Sequence, residues 1–105
     1  MGIHFSDQAN EELGQMKGIC TKLFEYMMEK PSDIAFWNKK IAGMEQKIDD
    51  MTEAFRENMY ARIRSGKCTD EGGILFSEML TDFERIGDHA LNIADEMMKM
   101  APAQE

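Results

Sequence analysis

Three runs of apolar residues, each spaced alternately by four and three, constrain this chain more than any other feature. The first is Ala9, Leu13, Met16, Cys20, Leu23 and Met27. The second is Trp37, Ile41, Met44, Ile48, Met51 and Phe55. The third is Phe76, Met79, Phe83, Ile86, Ala90, Ile93, Met97 and Met100. That spacing holds side chains on one face of a helix. No segment alternates with period two, so no strands are expected. Three striped helices with short connections bury their stripes most simply as an all-α, up-down-up antiparallel three-helix bundle with a left-handed twist.

The breaks between the runs carry their own signals. Ser6 is placed to cap the first helix, and Pro31 to end it near Lys30. Ser32 is placed to cap the second helix, with Asp33 favourable at the positive end of its dipole. Gly66 terminates that helix after Arg62 and Arg64, and Thr69 caps the third. Beyond Phe55 the pattern changes. Asn58 and Arg62 stand where apolar residues would continue the stripe, while Met59 and Ile63 carry the apolar side. The seam is expected to rotate there. The expected domain covers residues 6–100, with residues 1–5 as a leader and 101–105 as a tail.

A chain of 105 residues builds one core without metal or disulfide staples. Its eleven methionines read mainly as core filler. The net charge of −8 excludes a nucleic-acid partner held by a basic stripe. It suits a cation, or a partner with a basic patch. Cys20 and Cys68 lack metal spacing and read as free thiols in a reducing cytosol. No apolar run reaches the roughly 20 residues of a membrane span, so direct insertion by this segment is not expected.

The acids of the third run are the strongest functional signal. On a wheel of 100° per residue with Phe76 at zero, the stripe centres at about 300°. Glu84, Asp95 and Asp88 fall at about 80°, 100° and 120°, with Asn92 at about 160°. Glu78, Asp82, Arg85 and His89 lie on the other flank. Glu84 and Asp88, four apart, project side by side, where like charges repel unless a cation joins them. The second run holds a matching pair, Glu45 and Asp49. Carboxylate pairs from adjacent helices can converge on a hard cation, and oxygen-only ligation favours iron, manganese, magnesium or calcium over zinc. The plainer alternative is a solvated acidic face on a scaffold bundle with no metal role. Catalysis finds no nucleophile with a nearby base, no phosphate loop and no calcium-binding loop, so an enzyme is not expected.

Asp82-Phe83-Glu84-Arg85-Ile86-Gly87-Asp88-His89-Ala90-Leu91-Asn92-Ile93-Ala94-Asp95 resembles the signature of PhoU domains, the regulators of phosphate uptake. Met44-Glu45-Gln46-Lys47-Ile48-Asp49-Asp50-Met51 resembles the family's second acidic motif, with Gln46 and Lys47 departing from it. The resemblance implies a three-helix bundle with a surface site for divalent or trivalent metal. Carried over by position, the ligands are Glu45, Asp49, Glu84 and Asp88, with Asp82 as an addition. Full-length members carry two tandem repeats, and this chain has room for one. Single PhoU-like domains resemble the cytoplasmic regions of sodium/phosphate cotransporter proteins. The resemblance therefore implies a non-enzymatic regulatory domain excised from an inner-membrane transporter. Its partner would be the transporter's membrane domain or a phosphate-signalling protein. A homodimer would supply the missing half.

Overall fold

Ser6 starts the first helix by accepting a hydrogen bond from the Ala9 amide at 3.1 Å. The computed structural model describes residues 5–29 and 31–100. Helix α1 runs Asp7–Met27, α2 Ile34–Arg64 and α3 Asp70–Met100, with no strand among the described residues. The elements form a rod of 60 × 20 × 17 Å.

Helix α1 stops at Met27. Lys30, where its end was expected, lies outside the described residues, as do 1–4 and 101–105. At the end of α1 the Tyr26 carbonyl accepts from the Glu29 amide at 3.2 Å and the Trp37 indole at 3.3 Å. The cap of α2 is Asp33 rather than Ser32. Asp33 takes the extended conformation, and its carboxylate accepts from the Phe36 amide at 3.1 Å. Gly66 closes α2 with φ at 77°. Its amide reaches the Ile63 carbonyl, and the Lys67 amide reaches that of Arg62. This paired closure needs a left-handed residue, which glycine adopts without a Cβ clash. Thr69 caps α3, accepting from the Gly72 amide at 3.0 Å.

The core consists of Met16, Leu23, Ile41, Ile48, Phe76 and Leu80, all fully buried, with Trp37, Met59, Ala90 and Ala94 beside them. Phe5, assigned to the leader in the sequence reading, packs edge-on against Phe76 with ring centroids 6.0 Å apart.

The seam of α3 differs from the apolar stripe of the sequence. Its buried residues are Gly72, Gly73, Phe76, Leu80, Gly87, Ala90 and Ala94. Their mean direction is near 0° on the wheel, about 60° from the stripe read from hydropathy. Ile93, Met97 and Met100 are left exposed. The cause is close approach: small residues let α3 lie nearer to α2 than isoleucine and methionine would.

In α2 the expected rotation of the seam is a widening instead. Met59 is buried, and so is Arg62. The Arg62 guanidinium pairs with buried Glu12 of α1 at 3.0 Å, and Asn58 donates to Glu12 at 2.7 Å. Arg62 also lies over the Phe76 ring, 5.2 Å from its centroid. The polar residues that interrupt the stripe thus continue it, because their partner waits on another helix. Thr52, likewise buried, donates its hydroxyl to the Ile48 carbonyl at 2.8 Å.

Candidate metal centre

Helix α2 presents Glu45 and Asp49 one turn apart, just outside the buried Ile48. Helix α3 runs antiparallel beside it and meets Ile48 at Gly87. A Cβ on residue 87 would stand 3.2 Å from Ile48 Cδ1 and 3.7 Å from Glu45 Cγ. The bare backbone at Gly87 brings the next residue, Asp88, to the α2 acids. One oxygen each of Glu45, Asp49 and Asp88 lies within 4.8 Å of the other two. Glu45 and Asp49 are half-buried, and Asp88 is exposed.

Like charges at that separation raise the cost of ionisation, and partial burial raises it further. Desolvation first, then hydrogen bonds and repulsion involving Asp49 and Asp88, push the Glu45 carboxyl up to about 7. Among the described residues, the ion pairs are Glu12 with Arg62, Asp82 with Arg85 and Glu96 with Lys99, so no side-chain cation neutralises the three acids. Oxygens on opposite sides of a hard cation sit about 4–5 Å apart, given metal–oxygen distances of about 2.0–2.6 Å. The three carboxylates therefore fit one such ion.

The other acids expected at the site stand elsewhere. Asp82 lies on the opposite flank of α3, 3.8 Å from Arg85, with both side chains about 70% exposed (71% and 70%). Glu84 is half-buried one turn before Asp88 and outside the group of three. Asp95 accepts from Asn38 of α2 at 2.9 Å, tying the helices together nearer the end of the rod. The sequence placed Asp95 in the acidic row but gave no sign of Asn38, an amide with no motif around it. His89 is exposed.

The profile of the PhoU domain matches residues 13–97, which takes in most of α1 and α3 and all of α2. The chain belongs to the PhoU domain family. It is 30% identical over 92 residues to the phosphate-specific transport system accessory protein PhoU homolog 1 of Thermotoga maritima. The alignment covers 84% of this chain and 38% of that relative, so the chain spans well under half of the relative's length. No solved structure matches it. Among the described residues of the PhoU domain, no helix is long and apolar enough to cross a membrane.

Proposed function

We propose that this PhoU domain is a non-enzymatic regulator of phosphate transport whose α2–α3 face holds a divalent or trivalent cation. The match to the family over residues 13–97 carries the regulatory reading. The name of its Thermotoga relative, an accessory protein of a phosphate-specific transport system, supports it. Convergence of Glu45, Asp49 and Asp88 supports the cation.

In this reading the three carboxylates hold the ion, and iron, manganese, magnesium or calcium suits their hard oxygens. The ion supplies positive charge; the chain does the rest. Glu45 and Asp49 fix the α2 side of the site, Asp88 fixes the α3 side, and Gly87 sets the distance between them. Relief of carboxylate repulsion would clamp the two helices and set the shape offered to a partner. That partner is the membrane domain of a transporter or a phosphate-signalling protein, met on the cytoplasmic side. A sodium/phosphate cotransporter is the proposed context, and self-pairing the proposed way to complete a single repeat.

Uptake of radiolabelled phosphate by host cells tests this reading. Cells carrying Glu45→Gln with Asp88→Asn in the chromosomal gene should lose phosphate-dependent control of uptake, with protein levels unchanged. Control identical to wild type would leave a scaffold bundle with no metal role.

A further inference from the structure

Helix α2 carries a second stripe, on the side away from the core. Lys40, Gly43, Lys47, Asp50, Ala54 and Glu57 are spaced alternately by three and four, and every one is exposed. Phe36, 62% exposed, and Ala61 extend it at either end with the same spacing. The stripe lies about 150° around α2 from Glu45 and Asp49, so it is separate from the acidic trio. It forms one wall of the groove between α1 and α2, a space of about 580 Å³ lined also by half-buried Ile19, Met51 and Phe55. A Cβ added at Gly43 meets nothing within 4 Å. Among the described residues, Lys40, Lys47, Asp50 and Glu57 have no ion-pair partner. Asp50 accepts a bond from Gln46 at 3.0 Å, and the Lys40 ammonium lies 4.6 Å from the centre of the Tyr26 ring. Both keep further hydrogen-bonding capacity for a partner.

We infer that this stripe pairs antiparallel with the same stripe of a second copy, about a two-fold axis that passes between Lys47 and Asp50. Read backwards, the stripe is its own complement. Lys40 of one copy faces Glu57 of the other, Lys47 faces Asp50, Gly43 faces Ala54, and Phe36 faces Ala61. The alternate spacing keeps all of them on one helical seam, and the two-fold axis makes each contact twice. Gly43 and Ala54 let the two backbones approach, while Phe36 covers the small Ala61. With two lysines and two acids the stripe is neutral, in a chain of net charge −8, so two copies meet there without net repulsion. The occupant follows from the order of charges: an antiparallel partner must carry the reversed order, and a second copy always does. This inference rests on the self-pairing reading and gives it a face, one that leaves the α2–α3 acids open.

The test is sedimentation velocity of the 105-residue chain in EDTA, from about 5 to about 500 µM. Wild type should pass from monomer to dimer across that range. Within one copy Lys40 and Glu57 stand about 25 Å apart along α2, so they meet only between copies. Lys40→Glu and Glu57→Lys change exposed residues and should keep the wild-type helix content by circular dichroism. Each alone should weaken dimerisation at least about tenfold, because two ion pairs become repulsions. An equimolar mixture of the two variants should recover wild-type dimerisation, since opposite charges face each other again. A dimer that neither variant weakens, or two weakened variants that the mixture does not restore, would leave self-pairing standing and overturn this face. Wild type that stays monomeric throughout would overturn both.

Discussion

Gly87 of α3 lies against Ile48 of α2 so closely that a Cβ at position 87 would stand 3.2 Å from Ile48 Cδ1. Ile48 is fully buried, so shifting it would disturb the packing around it. The contact sets the spacing of the two helices at the level of Glu45, and with it the distance from Asp88 to the α2 acids. Packing in the core and geometry at the surface are thus one feature.

Gly87→Ala should therefore cost stability despite alanine's better helix propensity. Overpacking costs about 1–3 kcal/mol, against about 1 kcal/mol gained from propensity, for a net loss of about 1 kcal/mol. Gly14 and Gly18 of α1 are exposed, and an added Cβ there meets nothing within 4 Å. Gly14→Ala and Gly18→Ala should each stabilise by about 0.5–1 kcal/mol. Urea unfolding of the three variants checks the contrast. A Gly87→Ala protein as stabilised as the α1 pair would remove the close contact.

Stability without metal should fall as the solution becomes less acidic. Glu45 titrates at about 7 in the fold, above its ordinary 4.5. The folded state therefore keeps a proton that the unfolded chain has released. This contribution is complete below about pH 4.5, shrinks as pH rises, and is gone above about pH 7. Since the site is partly open to solvent, the change should be of the order of 1–2 kcal/mol. Thermal melts in EDTA between pH 5 and 8 should show this slope in wild type and lose most of it in Glu45→Gln.

The buried Glu12–Arg62 pair should behave quite differently from the exposed Asp82–Arg85 pair. Removing one buried partner strands the other charge, so Glu12→Ala should destabilise by about 3–5 kcal/mol. Replacing both, as in Glu12→Leu with Arg62→Met, should recover most of that loss. Asp82→Asn should change stability by less than about 0.5 kcal/mol. Chemical denaturation of the set decides this, and equal losses for Glu12→Ala and Asp82→Asn would contradict the burial.

Most of the caps and the stripe of α1 were legible in the sequence because they depend on near neighbours, though Asp33 rather than Ser32 caps α2. Ser6, Thr69 and Gly66 act where their spacing put them, and α1 buries Ala9, Met16, Cys20 and Leu23 of its stripe, with Leu13 and Met27 half-buried. What was not legible depends on how helices dock. Ile93 and Met97 look like core by hydropathy, but close approach selects Gly87, Ala90 and Ala94. Arg62 looks like a break in a stripe until Glu12, from another helix, supplies its partner. The trio Glu45, Asp49 and Asp88 was visible as acidic spacing. Separating it from Asp82, Glu84 and Asp95 required the rotation of α3 and the partners Arg85 and Asn38.

The central claim is that the α2 and α3 acids form one cation site. Isothermal titration of metal-stripped protein with manganese at pH 7.5 tests it most directly. Wild type and Asp82→Asn should each bind one ion with equal affinity. Glu45→Gln, Asp49→Asn and Asp88→Asn should each weaken binding at least tenfold, a loss of about 1.4 kcal/mol or more. Wild-type affinity should fall about tenfold per pH unit below 7, as the proton on Glu45 competes with the ion. No heat above dilution for wild type, or equal binding by wild type and Asp88→Asn, would contradict the account.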